Sequence, residues 1–289
     1  MKSVLKKTGW TIVSLLPIAL FFAIQLGSAT VIMLVMTLRE MLNTPGEMRP
    51  DALTVTVMEK YMDNIVPILI VSQLAAALVF GLWYYFAWGR KKRPEGTEKP
   101  GIRQILLIVL LGVAAQFAIS GVLSLVEMVV PSALQEYEEL MEMAGITEVT
   151  VLSLISTVIL APLSEELVCR GVIYRLAGKI SPRFWVANVV QAIAFGILHG
   201  NLVQGVYAFA LGLVLGLVYG RFQNIWLCML LHAAMNGSSV LVGPVYALLP
   251  ENTSQGGVAA AFAVSLVLGT ALGGLCLKGI ISKPASETI

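Results

Sequence analysis

Long apolar stretches alternate with short polar connections along almost the whole chain. Eight stretches approach membrane-spanning length: about 9–38, 64–89, 105–130, 150–168, 184–200, 203–220, 225–247 and 257–277. A bilayer core takes about 20 helical residues, so runs of this kind read as transmembrane helices. The pattern predicts an all-α fold, a polytopic integral membrane bundle of about eight transmembrane helices. The fifth stretch is short, and only Gly200-Asn201-Leu202 separates it from the sixth. That pair allows a tight helical hairpin in place of two clean spans. The first run, Thr8 to Leu38, follows Lys2, Lys6 and Lys7. It is longer than the apolar core of about 7–15 residues in a cleaved secretory signal, so it is expected to be a retained span, tilted or bent.

Composition agrees, with 57% hydrophobic and 12% charged residues, against about 25% charged in soluble domains. The net charge of +2 points to no nucleic acid, because the basic residues sit in the connections. Those connections carry topology information, since Lys and Arg favour cytoplasmic loops. Residues 39–63 hold three basic and five acidic residues, and 131–149 hold five glutamates and no basic residue. Residues 90–104 hold six basic residues, and Arg170, Arg175, Lys179 and Arg183 follow the fourth stretch. Arg221, Lys278 and Lys283 continue the alternation. The expectation is a bacterial cytoplasmic-membrane protein with both termini in the cytoplasm.

The polar segment Arg90 to Arg103 is the best boundary, giving accessory N-terminal helices with their cytoplasmic loop (1–104) and a catalytic core (105–289). Trp83, Tyr84, Tyr85 and Trp88 occupy an interfacial aromatic position. Gly212, Gly216 and Gly220 repeat at i+4, a small-xxx-small packing stripe. The acidic run Glu136 to Glu142 reads as a solvated face. Cys169, Cys228 and Cys276 lack CxxC spacing and read as small buried hydrophobes.

Chemistry concentrates between 165 and 236. Ionisable groups inside a membrane are costly and mark working sites. Glu165 and Glu166 are adjacent, and Arg170 lies at i+4 from Glu166 on the same helical face. Arg170 is thus placed to neutralise Glu166, while Glu165, rotated about 100°, points elsewhere. Adjacency and burial both disfavour double ionisation, which suits one carboxylate to act as a base. The only histidines are His199, at a segment end, and His232, which shares a face with Asn236 at i+4. An imidazole and an amide together suit a developing oxyanion. There is no HExxH pattern.

Glu-Glu-x-x-x-Arg at 165–170, Phe-x-x-x-His at 195–199 and His-x-x-x-Asn at 232–236 resemble, in order, the three motifs of the CAAX-protease and bacteriocin-processing group (the Abi or type II CAAX prenyl endopeptidase family) of intramembrane proteases. The likeness covers about 150–240. It implies an endopeptidase in which Glu165, with His199 beside it, activates water, Glu166 is tied to Arg170, and His232 and Asn236 hold the oxyanion. No cofactor is expected; the alternative is Zn held by Glu165, His199 and His232 with an open position. The expected partners are the lipid bilayer and a peptide or membrane-protein substrate.

Two rival readings are a proton-coupled transporter using the same groups and a non-catalytic membrane scaffold or chaperone. Catalysis is expected in a water-filled cavity opening toward the cytoplasmic half. Straight spans would leave His199 and His232 roughly 10–15 Å apart in depth at ~1.5 Å per residue, so a common site requires a short, tilted or re-entrant fifth segment.

Overall fold

The computed structural model describes residues 2–43, 49–91, 97–145, 149–250 and 252–282. In order the chain forms α1 (Lys2–Asn43), α2 (Pro50–Asp63), α3 (Ile65–Gly89), α4 (Ile102–Val129), α5 (Pro131–Met143), α6 (Val151–Ala177), α7 (Phe184–Leu198), α8 (Leu202–Phe222), α9 (Ile225–Tyr246) and α10 (Gln255–Ile281). No strand occurs among the described residues. All but α2, α5 and α7 are long and apolar enough to cross a membrane, seven helices among the described residues. The protein is an integral membrane helical bundle.

Every apolar stretch became a helix, but the fourth runs past its expected end at 168 to Ala177. Charge does not terminate it, because Glu166 and Arg170 pair inside the core, both fully buried. Glu165 therefore lies near the midpoint of the 27-residue α6 and not at its end.

The fifth stretch is the 15-residue α7, about 22 Å long at 1.5 Å per residue and short of a full crossing. It ends at Gly200, whose φ of +66° suits glycine and closes a helix C-terminus without a Cβ clash. The Asn201 side chain then caps α8 by accepting from Gln204 N at 3.0 Å. The resulting hairpin is close-packed along the predicted stripe: Gly212, Gly216 and Gly220 face Ala192, Asn188 and Phe184.

The core centres on the second half of α6. Val168, Cys169, Val172 and Ile173 pack there with Phe195, Leu215, Tyr219 and Cys228, all without solvent contact. All three cysteines are free and buried. On one side α1 and α3 pack against α6, with Phe21 against Phe80. On the other, α4 crosses α9 at Gly112, where a Cβ would come within 2.4 Å of Leu231 O. That close approach fixes the position of the next residue, His232. Helix α10 runs antiparallel to α4, with Ser265 donating to Phe117 O at 3.0 Å.

The basic connections gather at one end of the bundle. There Arg221 donates to Glu98 at 2.6 Å. Arg175 donates to the Tyr219 hydroxyl at 2.7 Å, with its guanidinium over the Tyr84 and Trp88 rings. The acidic connections, including α2 and α5, occupy the opposite end.

Candidate active site

Helix α6 is irregular on both sides of the carboxylate pair. π-helical turns at Ile155–Leu160 and Leu167–Ile173 bracket Ala161–Glu166; such turns recur at functional sites. Pro162 brings no N–H to the carbonyls of the preceding turn. Asn236 Nδ2 donates to one of them, Thr157 O, at 2.8 Å, which ties α9 to α6 one turn beyond His232.

The two glutamates diverge as their spacing predicts. Glu166 has no exposed surface, and its Oε1 accepts from Arg170 Nη1 at 2.9 Å and from His232 Nδ1 at 3.0 Å. Arg170 also donates from Nη2 to Gly212 O at 3.1 Å and lies 4.6 Å over the Phe195 ring. Burying a charged pair is favourable only when other hydrogen bonds complete it, and these contacts supply part of that requirement. Arg170 Nε and Glu166 Oε2 have no hydrogen-bond partner within the protein. Glu165 is different: its side chain is 18% exposed and forms no close pair.

The histidines meet at Glu165. His199 Nε2 and His232 Nε2 each lie 3.9 Å from Glu165 Oε2, an atom with no hydrogen-bond partner in the protein. His199 reaches this depth because a helical side chain points back toward its own N-terminus. Its Nδ1 bonds Phe195 O at 2.7 Å, one turn earlier. Phe195 lies between the two imidazoles, edge-on to both at 4.9 and 5.5 Å. The short α7 and the backward-pointing ring together remove the depth mismatch expected of straight spans.

The hydrogen bonds also fix the tautomers. A carbonyl only accepts, so His199 donates from Nδ1 and turns Nε2 toward Glu165. His232 Nδ1, on a carboxylate already paired with arginine, likewise donates. The two Nε2 atoms and Glu165 Oε2 thus converge on one point, an arrangement suited to hold a water molecule.

Glu165, His199, His232 and Asn236 all line one cavity of about 320 Å³. It runs toward one end of the bundle. The walls are Leu69 and Gln73 of α3, Gln116 and Leu123 of α4, Tyr137 and Met141 of α5, and the first turns of α6. These lie toward the acidic end of the bundle. Toward the basic end, Glu166, Arg170, Ile173, Phe195, Leu215 and Tyr219 are sealed, each with 0% exposure. The cavity therefore has its floor at the basic end of the bundle.

Several participants were not singled out in the sequence. Gln191 and Asn188 are fully buried, and Gln191 Nε2 donates to Gly212 O at 2.7 Å, the carbonyl that Arg170 also uses. Gln73 accepts from Ser156 at 3.0 Å. The Tyr137 and Tyr207 hydroxyls meet at 3.2 Å above the site. Lone amides in apolar spans are the signal that marks Gln73, Gln116, Asn188 and Gln191. The stripe Leu134, Tyr137, Met141 at helical spacing marks the inner face of α5.

The donor types suit zinc, and each imidazole has the Nδ1 anchor that metal-binding histidines require. Ligands on one tetrahedral ion with bonds near 2.0–2.2 Å would lie about 3.3 Å apart. The imidazole–carboxylate separations are 3.9 Å, and among the described residues no group of three ligand side chains is spaced to hold a metal. The residues as set do not fit the ion.

Residues 147–238 match the family model described as Type II CAAX prenyl endopeptidase Rce1-like. All three motifs lie inside that match, so the resemblance read from them is shown. Over 168 residues the chain is 24% identical to the Bacillus subtilis (strain 168) protein named "Putative membrane peptidase YdiL", covering 56% of this chain and 68% of that protein. No solved structure matches significantly. The chain is thus a polytopic membrane protein carrying the motif region of the CAAX-type proteases.

Proposed function

We propose that this protein is an intramembrane endopeptidase of a bacterial cytoplasmic membrane that hydrolyses a peptide bond with water activated by Glu165. The observation that carries the reading is the convergence of two oriented imidazoles on a single carboxylate oxygen inside a cavity at membrane depth. A water between Glu165 and His199 loses a proton to Glu165 as its oxygen attacks the scissile carbonyl carbon. Asn236 uses one Nδ2 proton on Thr157 O and has the other for the carbonyl oxygen as it gains charge. His232, anchored through Nδ1 on the Glu166 carboxylate, holds its Nε2 beside the same reacting carbonyl. Glu165 then returns its proton to the departing amine, and the C–N bond breaks. Such a base contributes about 10²–10⁴ in rate, and one oxyanion donor about 10²–10³.

The substrate is a peptide or a membrane-protein segment in extended form, because a helix satisfies its own backbone in lipid and hides its peptide bonds. Gln73, Gln116 and Asn236 offer amides along the cavity to pair with an unwound backbone. A transporter would need a path past the Glu166–Arg170 layer, and the fully buried residues there favour an enzyme.

The test is cleavage of a peptide library by purified full-length protein in nanodiscs. Wild type cleaves; Glu165→Gln and His199→Ala do not, while both remain monodisperse with unchanged melting. Persistence of activity after chelation supports the metal-free mechanism, and its loss with recovery on added zinc overturns it. Absence of cleavage by wild type, with proton-linked solute flux lost in Glu165→Gln, would establish the transporter instead.

A further inference from the structure

We infer that the catalytic cavity opens to the extracytoplasmic side of the membrane, so that its substrates are polypeptide segments exposed on the outer face. The identity of these substrates as peptides rests on the endopeptidase reading above; the side of access does not.

Three observations combine. First, the cavity is one-sided. From Glu165 it rises past Ala161 and Thr157 to Ser153 on α6 and to Val149 just before that helix, always toward its N-terminal end. On α3 its wall includes Leu69, near the helix start, and on α9 it includes Ser239 and Val240, past the α-helical part. Every one of these progressions leads to the same end of the bundle. Second, that end is roofed by α5, whose Tyr137, Met141 and Ala144 face the cavity while Glu136, Glu138, Glu139 and Glu142 are exposed. The Tyr137–Tyr207 hydroxyl contact joins this roof to α8.

Third, the charges of the two ends differ. The closed end carries Arg90, Lys91, Lys99, Arg103, Arg175, Lys179, Arg183, Arg221 and Lys278, with Glu98 the acidic partner of Arg221. The open end carries Arg39, Arg49 and Lys60, and two of these already pair locally with Asp51 and Glu40. Short loops rich in Lys and Arg are retained in the cytoplasm, so the closed end is cytoplasmic and the open end faces out. A cytoplasmic substrate would have to pass the sealed Glu166–Arg170–Phe195 layer to reach Glu165. An exported or membrane-anchored chain reaches it from above, beside α5.

The test separates access from catalysis by cysteine labelling in intact cells. The three native cysteines are buried, so wild type supplies the background. Glu138→Cys reports the α5 surface, Ala161→Cys the cavity wall one turn from Glu165, and Arg183→Cys the basic end. A membrane-impermeant cationic methanethiosulfonate, added outside, should label Glu138→Cys and Ala161→Cys to near completion. Arg183→Cys should react only after permeabilisation. Labelling of Ala161→Cys only after permeabilisation, alongside Arg183→Cys, overturns the proposal. So does Ala161→Cys that stays unreactive from outside while Glu138→Cys reacts. Should Ala161→Cys misfold, Val149→Cys at the rim replaces it with the same two outcomes.

A second arm uses sealed vesicles of both orientations and an impermeant peptide substrate. Right-side-out vesicles should cleave it at least tenfold faster than inside-out ones, and the reverse ratio overturns the proposal. Vesicles of neither orientation cleaving any peptide would sink the endopeptidase reading, and the labelling result would still decide the side of access.

Discussion

Above and below Glu165, α6 lives in two opposed environments. Toward its N-terminus the helix lines a polar-walled cavity with Ser153, Ser156 and Thr157. Toward its C-terminus it is sealed among Phe195, Leu215 and Tyr219. Two glutamates adjacent in sequence fall on either side of this boundary. Glu166 is held in place by Arg170 and His232; Glu165 faces two imidazoles without a direct partner. In the proposed mechanism identical carboxylates thus take different parts: the paired one orients its neighbours, and the unpaired one takes and returns a proton. A reaction centre needs both, since an unanchored His232 would not hold its ring toward Glu165.

The sharpest way to break this contrast is to neutralise each glutamate in turn. Glu165→Gln should lower the rate of peptide cleavage by about 10²–10⁴ with an unchanged thermal midpoint. Glu166→Gln leaves Arg170 charged and buried without its partner, which should cost about 3–5 kcal/mol of stability, read as a lowered midpoint in nanodiscs. Should both variants lose activity with equal stability, or both lose stability equally, the two-environment description is wrong.

Asn236→Ala comes next. It removes a cavity donor and strips Thr157 O of its partner. The expected loss is about 10²–10³ in kcat with KM little changed. A change confined to KM would make Asn236 a binding residue and not an oxyanion donor.

Much of this was legible in the sequence, for identifiable reasons. Spanning helices announce themselves by apolar length, and the i, i+4 spacing alone assigned Glu166 to Arg170 and set Glu165 apart. The three ordered motifs led to the family whose model matches residues 147–238. What stayed hidden depended on tertiary pairing. Hydropathy stops at charges, so it could not extend α6 through a Glu166–Arg170 pair that neutralises itself. Depth reckoned from Cα positions could not anticipate that the His199 ring reaches back to Phe195 O. The end of the bundle toward which the cavity runs was not legible, because the sealed layer is built from α6, α7 and α8 together, and because the apolar face of α5 hides among glutamates.

Gly216→Ala probes the sealed half at the α7–α8 contact. A Cβ there would lie 1.7 Å from Asn188 Oδ1 and 2.6 Å from Gln191 Nε2. Forcing the helices apart should cost about 1–3 kcal/mol and disturb Gly212 O, the acceptor shared by Gln191 and Arg170. Activity should fall with stability and recover at lower temperature. A variant that melts like wild type would show that the hairpin is looser than described.

Tyr137→Phe should have the smallest effect, and it addresses the open half. The Tyr137 hydroxyl meets only that of Tyr207 across the rim, with the rings edge-on at 6.5 Å. Phenylalanine keeps the ring contact and deletes the hydrogen bond, worth about 0.5–1.5 kcal/mol. Because the contact ties α5 to α8 and does not support the sealed layer, the loss should be local. Amide exchange over 131–145 should accelerate several-fold while α6, α7 and α9 keep their protection. The chemistry at Glu165 should be untouched, leaving kcat unchanged. Faster exchange spread into α7 and α9 would mean that the roof and the reaction centre form one cooperative unit, and the division at Glu165 would then mark a boundary of solvent access only.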